Sequence, residues 1–159
     1  MEIRKIKKEE YKQTQELVTS IMKNEFSEDI TAYPLQDIDD ISNSYGNLGE
    51  AFFIASNNGV IIGTVGIKRE DKRTALLRRI FVHPKYRRKR YGSKLMERAI
   101  EFCKEVGYQE IVFKTTSKME GAIALCRHKG FLERAKIDLG GIELLKFTLF
   151  LKENSPLGG

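Results

Sequence analysis

The stretch from Ala75 to Thr115 constrains the fold more than any other part of the chain. Ala75–Val82 reads as a strand, and His83-Pro84 stops it. Four consecutive cations follow, Arg87-Arg88-Lys89-Arg90. Tyr91-Gly92 then opens a helix whose Leu95, Met96, Ala99, Ile100, Cys103 and Val106 form one apolar stripe. Gly107 ends that helix, and Glu110–Thr115 is again a strand. Strand, helix and strand in this order predict a right-handed crossover between parallel strands.

The flanking segments extend the same sheet. Ile3 and Ile6 mark a first short strand, and Glu9 to Lys23 has helical spacing of Tyr11, Leu17, Val18, Ile21 and Met22. A second short helix is expected over Asp37–Tyr45. Strands are expected over Ala51–Ala55 and Val60–Ile67, joined by Asn57-Asn58-Gly59. Glu120–His128 reads as a helix, and Phe131–Ile137 and Ile142–Leu151 as a hairpin about Gly140-Gly141. The predicted fold class is therefore α/β (α+β): one domain over residues 1–152, built on a mixed, mostly antiparallel twisted sheet of about seven strands with helices on both faces. Residues 153–159 are expected to be a frayed tail.

Composition excludes several classes. Of 159 residues, 41% are hydrophobic and 31% charged, the balance of a globular domain. No apolar run approaches the roughly 18–20 residues of a spanning helix, so no membrane association is expected. The charged N-terminus MEIRKIKKEEYK has no apolar signal core. Cys103 and Cys126 lack the spacing of a zinc site, no metal is expected, and the expected location is cytoplasmic.

Charge is unevenly spread. Lys68–Arg98 holds 13 Lys or Arg against 3 acids, whereas Phe26–Glu50 holds six acids and no Lys or Arg. The basic stretch crowds around the helix start. A helix N-terminus presents unpaired N–H groups and a partial positive charge, so the unit reads as a phosphate-binding strand–turn–helix. No G-x-x-x-x-G-K-[ST] is present, so it is not a P-loop.

The pattern Val82-x-Pro84-x-Tyr86-Arg87-x-x-x-x-Gly92-Ser93-x-Leu95 resembles motif A of the GNAT superfamily of N-acetyltransferases. Gly107-Tyr108, the strand Ile111–Thr115 and Ala122-x-x-Leu125-x-x-x-x-Gly130-Phe131 extend the resemblance, which covers nearly the whole chain. It implies transfer of an acetyl group from acetyl-CoA to an amine of a small molecule or protein, by direct attack in a ternary complex. The backbone of Ile80, Phe81 and Val82 would hold the pantetheine arm and the thioester oxygen. Arg87, Arg88, Lys89, Arg90, Tyr91, Gly92 and Ser93 would hold the pyrophosphate. Arg90 stands where the family has a glycine.

The chemical centre departs from the family. Leu76 stands where many members carry a glutamate, Cys126 where they carry a proton-donating tyrosine, and Met119 where an asparagine is usual. Cys126 is either the acid or a buried structural cysteine. Glu50 and Asp37, Asp39 or Asp40 are candidate bases, with a solvated carboxylate as the alternative role for each, and the proton could instead pass directly to water. The acidic stretch falls where the family builds its acceptor site, so Asp37, Asp39 and Asp40 are expected to bind a cationic acceptor. His83 and His128 read as structural or surface residues.

Two other readings compete. One is a GNAT-fold sensor that binds acyl-CoA without transfer, motivated by Leu76 and Cys126. The other is a nucleic-acid module using residues 68–98, although only Phe81, Tyr86 and Tyr91 interleave its cations. The apolar C-terminal hairpin serves either a homodimer interface or ordinary core packing.

Overall fold

A computed structural model describes residues 1–151. The expected tail over residues 153–159 lies outside the described residues. Seven strands form one sheet: β1 (Glu2–Lys5), β2 (Ala51–Asn57), β3 (Val60–Arg69), β4 (Thr74–Val82), β5 (Glu110–Thr116), β6 (Leu132–Leu139) and β7 (Ile142–Phe150). Their spatial order is β1-β2-β3-β4-β5-β7-β6. Among the described residues, only β4 and β5 pair in parallel. The β2–β3 hairpin closes through Asn58 and Gly59, at φ 51 and 81 between the partners Asn57 and Val60. Two successive positive φ values are the signature of a type I′ turn, which asparagine and glycine adopt most readily.

Helix α1 (Tyr11–Glu25) follows a single 3₁₀ turn over Lys8–Glu10. The helix expected at Asp37–Tyr45 is two short ones, α2 (Gln36–Asp39) and α3 (Ile41–Ser44). They break at Asp40, whose φ and ψ of −143 and 62 are not helical. α4 (Tyr91–Val106) and α5 (Glu120–His128) match the sequence reading. On α4 the buried stripe includes Phe102, while Val106 is 44% exposed.

The sheet carries a core on each face. Leu95, Met96, Ala99 and Cys103 of α4 pack on Phe53, Val65, Leu77 and Phe147. Val18, Ile21 and Met22 of α1 join Ile38 and Ile41 of α2 and α3 over Phe52, Ile54 and Phe81. A Cβ at Gly63 would lie 2.6 Å from Leu95 Cδ1, so a glycine there lets α4 approach β3 closely. No helix among the described residues is long and apolar enough to cross a membrane.

One irregularity sets up the site. Phe81 pairs with Thr64 and Arg78 with Gly66, so Val65 opposes two residues of β4, Arg79 and Ile80. This bulge puts Arg79 at φ 53, and the Thr64 hydroxyl donates to its carbonyl at 2.7 Å. A bulge bends its strand. Pairing between β4 and β5 accordingly runs only from Thr74↔Glu110 to Leu77↔Phe113 and then stops. Beyond Leu77, the edge of β4 that faces β5 has no strand partner.

Candidate active site

Two cavities meet where β4 and β5 part. The larger, about 600 Å³, lies between the C-terminal end of β4, the loop after it, and the starts of α4 and α5. The smaller, about 240 Å³, lies over the diverging strands and is roofed by Tyr33 and Met119. Ile80, Phe81 and Met119 line both.

Nine of the ten residues expected to hold the cofactor line the larger cavity: Ile80, Phe81, Val82, Arg87, Arg88, Arg90, Tyr91, Gly92 and Ser93. Lys89 does not; its ammonium sits 5.7 Å from the centre of the Tyr86 ring. The loop backbone is unusual. Arg88 and Arg90 are both left-handed, at φ 64 and 66, and Arg90 is the residue that caps α4. For a residue with a Cβ that conformation costs about 1–2 kcal/mol. The charges are also placed against the helix dipole, which favours anions at an N-terminus. The first turn of α4 holds no acid, and among the described residues Arg88, Lys89 and Arg90 form no ion pair. A phosphate ligand offsets both costs, because the unpaired N–H groups and the side chains then share one anion. The residues present therefore fit a pyrophosphate.

Arg87 is the exception in this loop. Its guanidinium is bidentate to Glu25 at 2.6 and 2.8 Å, and its Nε donates to Val82 O at 3.0 Å. Glu25 and Phe26, at the end of α1, also line the cavity. The sequence reading missed both, since nothing local links them to a loop some sixty residues away.

The candidates for proton transfer and acceptor binding lie elsewhere. Cys126 is 0% exposed within the α4–α5 core, and burial pushes its thiol up to about 12. It lines neither cavity. Its geometry is the one expected of a structural cysteine. Glu50 precedes β2 at the opposite end of the sheet. Its carboxylate accepts from Asn47 N and Arg69 N at 3.1 and 3.0 Å, so it closes a strand end instead of facing a substrate.

Two acids of the acidic stretch, Asp29 and Asp37, are spent inside the protein. Asp37 is 8% exposed and accepts from Arg79 Nε and Nη2 at 3.0 and 2.6 Å, and from the Tyr45 hydroxyl. Burial alone would raise its carboxyl, but the Arg79 guanidinium and the Tyr45 hydroxyl outweigh this and hold it below the usual carboxylate range. Arg79 Nη2 also reaches Pro34 O at 2.7 Å. Asp29 is fully buried and accepts from the Thr116 hydroxyl. Asp39 and Asp40 are exposed and line neither cavity. Asp37, Asp39 and Asp40, the expected acceptor-binding residues, thus line neither cavity, and the buried carboxylates of Asp37 and Asp29 hold α2 against β4 and the turn after α1 against β5.

The smaller cavity has the opposite sign. Its polar side chains are Tyr33, Arg78, Arg79 and Lys114, and Leu76 lies in its wall. Sequence reasoning overlooked Arg78 and Arg79. The available signal was Arg79, which shares the inward phase of Ala75 and Leu77 and so announces a buried cation in need of a carboxylate.

Residues 15–131 match the Acetyltransferase (GNAT) family. The chain belongs to the GNAT acetyltransferase family. Over 118 residues it is 29% identical to a probable N-acetyltransferase, camello, of Xenopus tropicalis, covering 72% of this chain and 53% of that protein. The chain spans about half the length of the first curated relatives it matches. Among solved structures, a GNAT acetyltransferase of Staphylococcus aureus Mu50 superposes with a TM-score of 0.84 at 28% identity, covering 95% of this chain and 99% of that one. A putative acetyltransferase of Salmonella typhimurium, solved with acetyl-CoA, gives 0.79 at 22% identity, covering 97% and 95%. The GNAT fold thus extends over nearly the whole described chain.

Proposed function

We propose that this protein transfers the acetyl group of acetyl-CoA to a primary amine by direct attack in a ternary complex. The observation that carries this reading is the pair of adjoining cavities at the parting of β4 and β5, one at a helix start ringed by cations, the other apolar with Tyr33, Arg78, Arg79 and Lys114 in its lining. The Arg88–Ser93 loop and Arg87 take the pyrophosphate. The free β4 edge at Ile80–Val82 takes the pantetheine, and a backbone N–H there stabilises the oxygen of the thioester as the amine attacks. The C–N bond forms as the C–S bond breaks. No carboxylate lines the acceptor cavity, so the amine proton passes to water at its mouth, and the thiolate takes a proton from solvent. Leu76 and the sealed Cys126 also motivate the reading of an acyl-CoA sensor without transfer.

Initial-rate kinetics separate these accounts. Acetyl-CoA and amine varied together should give intersecting double-reciprocal lines. Parallel lines would exclude direct attack. Coenzyme binding with no turnover on a broad amine panel would select the sensor.

A further inference from the structure

We propose that the acceptor is a small α-amino acid with an apolar side chain, its carboxylate held by Arg78 with Lys114 and Tyr33 beside it. This rests on the acetyltransferase reading and names the substrate class of the same site.

The smaller cavity holds two cations, Arg78 and Lys114, whose side chains donate no hydrogen bond among the described residues. Arg79 is neutralised by Asp37. Arg78 lies 3.9 Å from that same carboxylate, at an oxygen that already accepts the 2.6 Å bond from Arg79. The other Asp37 oxygen accepts from Arg79 Nε and Tyr45. Asp37 already accepts three hydrogen bonds, and among the described residues the 31% exposed Arg78 side chain makes none of its own. Lys114 is exposed, has no ion pair among the described residues, and stands directly opposite Lys146 in the β5–β7 register. Like charges placed opposite each other on a sheet are destabilising. An anion between β4 and β5 relieves that repulsion and gives the Arg78 fork the planar, bidentate partner it suits best.

The rest of the lining limits what else the acceptor carries. Leu76, Val112, Phe81 and Met119 give an apolar wall for a side chain, and a volume of about 240 Å³ admits a small molecule. A polyamine would place several positive charges against Arg78 and Lys114 with no carboxylate in the lining to receive them. Ile80 and Phe81, where this cavity meets the coenzyme cavity, are only two and three residues along β4 from Arg78, so the amine and the carboxylate must be a few bonds apart.

The test pairs each of L-methionine, L-leucine and L-phenylalanine with its amide and its decarboxylated amine, with spermidine as the cationic control. Turnover is followed by thiol release from acetyl-CoA. We expect kcat/KM about 10- to 100-fold higher for the carboxylates than for their amides. Arg78→Gln should collapse that ratio towards one, Arg78→Lys should keep part of it, and Lys114→Gln should lower it by a few fold. Equal or better turnover of amides, decarboxylated amines or spermidine would overturn the proposal. If no amine is turned over, the protein is titrated, with and without coenzyme A, with N-acetyl-L-methionine and N-acetyl-L-methioninamide. Carboxylate-selective binding that Arg78→Gln abolishes would support the proposal and count against acetyl transfer alone. Binding without that selectivity, or no binding of either, would overturn it.

Discussion

The Arg87–Ser93 loop and the Phe26–Glu50 stretch each carry a run of one charge, and the fold treats them in opposite ways. In the loop, Arg88, Lys89 and Arg90 stay exposed, with no ion pair among the described residues, around a helix start that itself prefers anions. In the acidic stretch, Asp37 is locked to Arg79, 42 residues away, and Asp29 to Thr116, 87 residues away. The first run is held in a locally unfavourable place, which points to a ligand. The buried acids of the second are taken up by distant partners, which points to architecture. A charge run therefore identifies a site only when the fold leaves it unsatisfied.

The largest expected effect breaks the architectural side. Asp37→Asn leaves Arg79 buried without a counter-charge, and removing one partner of a buried pair costs about 3–5 kcal/mol. At this chain length that lowers Tm by about 6–20 °C. Asp39→Asn and Asp40→Asn should each stay within about 0.5 kcal/mol of wild type in urea unfolding. A stable Asp37→Asn protein with a raised acceptor KM would return the acidic stretch to the substrate site.

On the ligand side, Arg87→Ala should weaken acetyl-CoA about 10- to 100-fold by calorimetry, as loss of a charge-assisted phosphate contact implies. Its stability should fall by less than about 1 kcal/mol, because its partner Glu25 is partly exposed.

The two thiols supply a pH test. Burial raises both Cys103 and Cys126 from 9.0 to about 12. Their contribution to stability is therefore complete below pH 9 and declines as pH rises towards 12, where the unfolded chain ionises first. The double variant Cys103→Ala/Cys126→Ala should show a shallower alkaline decline. Cys126→Ala alone should keep kcat within a few fold, and a loss beyond about 100-fold would restore Cys126 as the acid.

The smallest effect sharpens the comparison at its boundary. Glu25→Gln frees Arg87 for the coenzyme and should tighten acetyl-CoA by about two- to fivefold.

The same contrast explains what could be read from the chain. The Arg87–Ser93 loop before α4, the β2–β3 turn and the stop at Gly107 depend on residues close in sequence, and each lies where its local pattern places it. The left-handed Arg90 also agrees with its standing in a glycine position. The smaller cavity depends on pairings that no local pattern encodes. The β4 bulge adds Arg79 to the face that Arg78 already lines, and β7 enters the sheet between β5 and β6, which sets Lys146 opposite Lys114. Glu50 fell outside the site for a related reason. Its place next to a strand was legible, but which end of the sheet that strand start occupies was not.

Differential thermal denaturation with acetyl-CoA tests the central claim most directly, with free coenzyme A, ATP and a short DNA duplex as comparators. A ligand at 100 times its Kd adds about 2.7 kcal/mol. For a domain of this size that is a rise of about 5–11 °C. A rise of that order with both coenzymes, weak with ATP and DNA and lost in Arg87→Ala, is the predicted result. No rise with either coenzyme, or a larger one with DNA, would contradict the assignment of this cleft.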